Sequence, residues 1–425
     1  MIGTGELRRL ISSGSLDDAF RTLYGTGNEF RQRARYARLL DTFSLTFGEA
    51  DVHVFSVPGR AEITGNHTDH NHGAVLAAAI NLDIIAIAAK RDDSIIKLNS
   101  ENFPPDQVDL SITRMIEGEK ETSQALIRGI GSRMGELGYK TGGFNCVTTS
   151  DVLKGSGLSS SAAFEVMVGT VFNHLYNGGS IDPVSIAIIS SYAENNYFGK
   201  PSGLMDQTAC ASGGFSMIDF KDPASPELQK IDFDFSTTGY TLCAVDTGSS
   251  HHDLTSDYSS MPSEMRAVAA VFGKEYLREV DESEFLRSIP LVRQRTGDRA
   301  ALRALHFFGE HKRVLAQRES LRQGDFEGFL KTIRQSGRSS FMYLQNVYSA
   351  NRERLQPQSV ALAMSDRFLG ENGAFRVHGG GFAGIIMVFV PNSMVEDYTA
   401  FMEPVFGVGS VRRLSVREAG PLMLI

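Results

Sequence analysis

Tryptophan is absent from this chain of 425 residues, and cysteine is nearly so, with three residues in all. Cys146, Cys210 and Cys243 are scattered and odd in number, which argues against a disulfide framework or a paired-cysteine zinc ribbon and for a reducing compartment. No Lys/Arg-rich run offsets a net charge of −8, so neither nucleic acid nor an anionic membrane is an expected partner. A basic pocket for an anionic substrate stays open, because a local field can oppose the net charge. Long apolar stretches are missing as well. The most apolar run, 74–89, is interrupted by Asn81 and Asp83 and is too short to span a bilayer. The start, MIGTGELRRL, lacks the apolar core of a signal peptide, so the expectation is a cytoplasmic protein with no membrane contact. Internal repeats and low-complexity tracts do not occur.

What remains is the composition of a soluble globular protein, 42% hydrophobic and 22% charged, with enough length for two domains. Residues 6–45 carry helical apolar spacing and read as a prelude outside the chemistry. From Val52 the texture changes to short strands at 53–57, 74–79 and 83–90, then a helix at 121–137 and a strand at 144–149. Further helices are expected after residue 160 and over 182–197. The Pro/Ser/charged stretch KDPASPELQK (221–230) marks a domain boundary. Beyond it come a strand at 240–246, helices within 262–355 and strands at 374–378, 384–390 and 411–416. The expected division is a helical segment at 1–50 and two lobes at 51–228 and 229–425. Strands and helices mix without a regular βαβ rhythm, so the fold class is α+β.

Four segments carry chemistry. Residues 155–163 read GSGLSSSAA and lead into a helical pattern with no Lys after the glycines. Gly155 and Gly157 allow close backbone approach, and Ser159, Ser160 and Ser161 supply hydroxyls. The string therefore reads as a phosphate-cradling loop at a helix N-terminus, of a kind other than the Walker type. A plain Gly/Ser turn is the alternative. Residues 57–73, VPGRAEITGNHTDHNHG, place Arg60 before a dense polar cluster of Asn66, His67, Asp69, His70 and His72. Such groups suit paired contacts to sugar hydroxyls; a metal site and a solvated turn are the rivals, though the spacing matches no common zinc pattern.

Residues 192–207, YAENNYFGKPSGLMDQ, offer Glu194 late in a helix and Asp206 after a Gly-Leu-Met turn. Phosphoryl transfer needs few parts: a metal held by oxygen, a group for the acceptor hydroxyl and a cation. Glu194 with Ser161 or Ser160 fits the first, Asp206 the second and Arg60 the third. The fourth segment, GAFRVHGGGFAG at 373–384, has three consecutive glycines between strands, for a ligand or for a tight turn.

Together these segments resemble the signature blocks of the GHMP small-molecule kinases, and within them the galactokinases, over most of the chain from about Val54 to Val416. The first block of that group resembles PGRVNLIGEHTDYNxG and stands here as Pro58 through Asn71. The second resembles PLGAGLSSSA, here Leu153 through Ala162, and the third MTGGGFGG, here Val377 through Gly384. The GIMDQ segment is matched by Gly203-Leu204-Met205-Asp206-Gln207. The resemblance implies a two-lobed fold: an N-terminal lobe like the second domain of ribosomal protein S5 and a ferredoxin-like C-terminal lobe. It implies ATP on the loop Gly155, Ser156, Gly157, Leu158, Ser159, Ser160 and Ser161, with Mg²⁺ held by Ser161 and Glu194. Asp206 and Arg60 become the catalytic pair, and Asn66, His67, Asp69, Gly203 and Tyr258 the sugar ligands.

The implied reaction is phosphorylation of the anomeric hydroxyl of galactose. Asn66 replaces the group's sugar-binding Glu and His70 a Tyr, a pattern similar to plant galacturonate kinases, so a 1-kinase for galacturonate is the alternative. A non-catalytic galactose/ATP sensor is the other, opposed by the intact Ser161-Ala162 pair. A monomer or weak homo-oligomer is expected.

Overall fold

A computed structural model describes residues 1–152, 158–200, 202–249 and 254–425. A two-residue strand, β1 (Ile2–Gly3), precedes helices α1 (Thr4–Ser13), α2 (Asp17–Tyr24) and α3 (Glu29–Phe47). Two long antiparallel strands follow, β2 (Asp51–Thr64) and β3 (Ala74–Lys90). After them come β4 (Ile95–Ser100), β5 (Asp106–Asp109), α4 (Ser123–Glu136), β6 (Phe144–Ser150), α5 (Ser160–Asn177), α6 (Pro183–Ala193), α7 (Met205–Ser212), β7 (Phe215–Asp219) and β8 (Glu227–Ile231). The sheet order is β1-β2-β3-β6-β4-β5, with β7 also on β3 and β8 on β7. Among the described strands of this sheet, only β4 and β6 run parallel.

The alternation of β3 explains its two-sided burial. Ile84, Ala86 and Ala88 face α4 to α7, while Ile85, Ile87 and Ala89 face the opening helices. On that second face Leu7, Phe20, Tyr36, Leu40 and Phe43 are all buried. Each such side chain contributes about 1.5–3 kcal/mol, an upper estimate. Residues 1–50 therefore cover one face of the sheet.

The sequence predicts two strands where β3 is one, because Asn81 and Asp83 look like a break. Both polar groups have partners. Asn81 Oδ1 accepts the Ser415 N–H at 2.9 Å. Asp83, fully buried, accepts from Arg35 Nη1 and the Tyr24 hydroxyl, each at 2.6 Å, and from Ser56, with Arg417 Nη1 at 3.4 Å. Burial opposes ionisation of Asp83, but the two guanidinium charges outweigh it and hold the carboxyl below its ordinary range.

The second lobe is built on β9 (Tyr240–Asp246), followed by α8 (Thr255–Val271), α9 (Glu282–Arg287), α10 (Ile289–Thr296), α11 (Asp298–Arg322), α12 (Phe326–Ser339), α13 (Pro357–Leu369), β10 (Ala374–Val377), β11 (Ile385–Pro391), α14 (Val395–Phe406) and β12 (Val411–Leu414). Its four strands are antiparallel in the order β10-β11-β9-β12. One face buries Val245, Ile386 and Val388 against Tyr398 and Met402. The other buries Leu242, Met387 and Phe389 with Phe329, Ala61, Ile63 and Leu76, so the two lobes share a core. A last strand, β13 (Leu422–Met423), returns to pair with β2. Strand β8 overlaps the end of the expected boundary stretch and pairs with the first sheet.

Candidate active site

Strand β2 shifts register between Pro58 and Arg60 and again between Glu62 and Thr64. Such irregularities re-aim side chains. Arg60, 4% exposed, points Nε and Nη2 at Oδ1 of Asp206, each at 2.8 Å. Asp206 is the second residue of α7. Ser159, immediately before α5, is held at φ 58°, and its hydroxyl donates to the other carboxylate oxygen, Oδ2. Burial alone would raise the Asp206 carboxyl. The Arg60 charge and the Ser159 hydroxyl outweigh it and keep the group below the ordinary carboxylate range. Its side chain is still 32% exposed, so an ionised carboxylate remains accessible.

The loop after Gly65 is held from the second lobe. Glu310 accepts the Gly65 N–H at 3.1 Å, and His306 Nε2 lies 2.9 Å from the Asn66 carbonyl. His67 Nε2 lies 3.0 Å from the Gly380 carbonyl. Since a carbonyl only accepts, that nitrogen carries the proton. Burial, with His70 beside it, lowers His67 to about 3, so its ring is neutral at physiological pH. The His67 and His70 rings stack at 5.7 Å, and His70 Nε2 is 3.7 Å from Asp69 Oδ1. Gly203 abuts Asp69 so closely that an added Cβ would lie 2.4 Å from Oδ2. Tyr258 donates its hydroxyl to the Gly381 carbonyl at 2.8 Å, and its ring would meet a Cβ on Gly380 at 2.6 Å. The triple-glycine turn thus receives side chains from both lobes.

Several expected groups therefore converge: Arg60, Asp206 and Ser159 in one centre, Asp69 beside Gly203, and Asn66, His67 and Tyr258 on residues 379–381. Asn66 does so from the inside. It is 1% exposed, and its amide nitrogen donates to Glu62 Oε1 at 2.8 Å and the Gly379 carbonyl at 2.5 Å. Its oxygen accepts from Asn346 Nδ2 at 2.6 Å. Leu158 is buried, with its carbonyl 3.4 Å from the Arg60 N–H; Ser160 is half-buried and Ser161 exposed in the first turn of α5. Gly155, Ser156 and Gly157 lie outside the described residues.

Glu62, Asn346, Arg376 and His378 join this site without having been expected. His378 Nε2 accepts the Glu62 N–H at 2.8 Å, and Arg376 Nη2 sits 3.4 Å from Glu62 Oε1. Glu62 had a signal, since strand alternation puts it on the face of Arg60 two residues earlier. Arg376 and His378 had one too, since both stand in the triple-glycine segment 373–384. Asn346 had none, because it reaches Asn66 from 280 residues away.

Glu194 opens a single wide helical turn, Glu194–Phe198, at the end of α6. Turns of that kind concentrate at functional positions. The carboxylate is 4% exposed and accepts from Lys200 Nζ at 2.8 Å, Ser202 Oγ at 2.5 Å and Gln207 Nε2 at 2.9 Å. Lys200 already places a cation on it, and Ser161 stands exposed in the first turn of α5. A carboxylate and a hydroxyl are donor types that suit a hard cation retaining water, such as Mg²⁺. No group of three or more His, Cys, Asp or Glu able to hold a metal occurs among the described residues. No described helix is long and apolar enough to cross a membrane.

Residues 41–90 match the model of the galactokinase galactose-binding signature, and residues 124–214 that of the GHMP kinase N-terminal domain. The chain is 30% identical to the galactokinase of Streptomyces coelicolor over 385 residues, covering 90% of this chain and 95% of the relative. It is 31% identical to that of Glaesserella parasuis over 361 residues, covering 83% and 89%. A crystal structure of Lactococcus lactis galactokinase complexed with galactose superposes with a TM-score of 0.77 at 23% identity, covering 92% of this chain and all of that one. Methanococcus jannaschii mevalonate kinase superposes at 0.59 and 14% identity, covering 86% and 99%. The two-lobed α+β architecture is that of the GHMP kinases.

Proposed function

The chain belongs to the galactokinase family of the GHMP kinases, and from that premise we propose that it transfers the terminal phosphoryl group of ATP to the anomeric hydroxyl of galactose, yielding galactose 1-phosphate. The observation that carries this reading is the Ser159–Asp206–Arg60 centre: an ionised, partly open carboxylate held from two sides at the head of the phosphate-loop helix. In it, Asp206 takes or orients the hydroxyl proton, and Arg60 keeps Asp206 ionised and offsets charge on the approaching phosphoryl group. Asp69, His67 and Tyr258, with Gly203 giving room, bind the sugar ring. His67, protonated at Nε2, offers an acceptor at Nδ1 and so favours a hydroxyl donor.

The loop from Gly155 to Ser161 cradles the phosphates, with the N-terminus of α5 behind them. Ser161 and Glu194 would hold Mg²⁺, which offsets charge on the nucleotide phosphates when bound. The lobes that enclose the reaction follow the expected division at 228/229, moved past Ile231 because β8 stays with the first sheet, with 1–50 as the covering helical segment.

Galacturonate is the weaker acceptor in this reading. The exchange of Glu for Asn at position 66 suggests tolerance of a substrate carboxylate, yet both amide hydrogens of Asn66 are engaged inside the protein. A sensor without turnover has no feature here in its favour. The test is sugar-dependent ADP release across a panel containing galactose and galacturonate, against a control without sugar. Turnover on galactose above all others is expected. Faster turnover on galacturonate would replace the acceptor, and no sugar-dependent ADP at all would remove the kinase reading.

A further inference from the structure

Glu165, in the second turn of α5, takes no part in the chemistry above, yet it is completely buried beside the site, 0% exposed. Its neighbour is Gln207, 1% exposed and next in sequence to Asp206. Gln207 Nε2 lies 2.9 Å from Glu165 Oε2 and also 2.9 Å from Glu194 Oε2. An amide nitrogen has two hydrogens, so one goes to each carboxyl group. The orientation matters. With the amide reversed, its oxygen would face the Glu194 carboxylate and the repulsion would be severe at this depth.

The remaining atoms of the pair are informative. Glu165 Oε1 and Gln207 Oε1 are both buried and have no hydrogen-bond partner among the described residues. Buried oxygens in this state carry a desolvation penalty unless something donates to them. A proton on Glu165 Oε1, given to Gln207 Oε1, would close a cyclic acid–amide pair and satisfy both. Burial and the nearby charge of Glu194 push Glu165 well above the ordinary carboxyl range, in agreement with a neutral acid.

We propose that Glu165 is a positioning residue for the metal-binding carboxylate: by accepting from the Gln207 amide, it holds the amide nitrogen toward Glu194 and so fixes the orientation of that ligand. The inference rests on the reading of Glu194 as a Mg²⁺ ligand. It assigns to the buried core of α5 a role in the site that Ser161, four residues earlier on the same helix, serves from the surface. Supporting partners behind a ligand typically matter by 10–100-fold in metal affinity or activity.

The test titrates Mn²⁺ into the full-length protein with ADP at fixed concentration and follows the free-ion electron paramagnetic resonance signal. Glu165→Leu and Gln207→Leu should each weaken Mn²⁺ binding about tenfold. Glu165→Gln should stay within about threefold of the parent, because an amide offers Gln207 the same donor and acceptor without charge. Glu194→Gln is the reference and should weaken binding at least as much as either Leu variant. Thermal melts identify any variant that does not fold, and Glu165→Gln remains decisive if Glu165→Leu is lost. Parent-like binding by Glu194→Gln would remove the metal reading and this inference together. If Glu194→Gln is weakened while Glu165→Leu and Gln207→Leu are not, this inference alone falls. It also falls if Glu165→Gln loses as much as Glu165→Leu, since Glu165 would then act through its charge.

Discussion

Asn66 gives an amide hydrogen to Glu62, 2.8 Å away and four residues earlier in the chain. The galactokinase block that this segment resembles carries Asn at the first of these positions and Glu at the second; here the two are exchanged. The carboxylate has not left the cluster. It has moved onto β2, where Arg376 stands 3.4 Å away. Burial still raises the Glu62 carboxyl above its ordinary range, with Arg376 and Arg60 opposing.

Asn66→Glu therefore tests the fold before it tests the choice of sugar. It sets two buried carboxylates against each other, and an uncompensated buried charge costs about 3–5 kcal/mol. A marked drop in melting temperature is expected for Asn66→Glu, with most of it regained in Glu62→Asn/Asn66→Glu. Melting curves of the parent, both single variants and the double variant form the cycle. Equal stability of Asn66→Glu and the parent would refute the coupling.

Asp206→Asn should lower turnover by at least about 10²-fold, the usual scale of a positioned base. Sugar-dependent ADP release measures it, with a melting curve to establish that the variant folds. Near-full turnover would exclude Asp206 from the proposed role.

Ser159→Ala removes the donor on Asp206 Oδ2. In the folded protein the Asp206 carboxyl is depressed, so activity that needs the ionised form is present above that value and lost as pH falls through it. Without the hydroxyl the ionised form is less favoured, and the acid limb of the kcat profile should move to higher pH. An unmoved limb would show that Ser159 does not tune Asp206.

His378 predicts a pH effect on stability. Burial, then the charges of Arg60 and Arg376, hold its ring well below the ordinary imidazole value. Below pH ~6.5 the unfolded chain binds a proton that the folded chain does not, so stability falls as pH drops, by up to about 1.4 kcal/mol per pH unit for one group. His378→Gln retains an acceptor for the Glu62 N–H without titrating. Between pH ~7.5 and ~5.5 it should lose less melting temperature than the parent. Equal losses would assign the acid sensitivity to other groups.

The local features could be read in advance because local physics sets them. The Ile- and Ala-rich run at 83–90, the helix expected from 182, where Asp182 accepts the Ser185 N–H at 3.0 Å, and the strand at 240–246 all follow from composition, periodicity and caps within a few residues. The break expected at Asn81 and Asp83 failed for the opposite reason. What decides it is Arg35, Ser415 and Arg417, which lie far away in the chain.

Residue types and their order along the chain pointed to the reaction class, through motifs that singly allow plainer readings but in combination resemble the signature blocks of one kinase family. Only the tertiary structure decided what each group does with its hydrogen bonds. It turned Asn66 inward onto Glu62 and Asn346, sent the Ser159 hydroxyl to Asp206, and set Gln207 between two buried carboxyl groups. A motif specifies which donors and acceptors are present. Their direction depends on desolvation and on partners supplied by distant segments, and those exist only once the two lobes have closed on a common core.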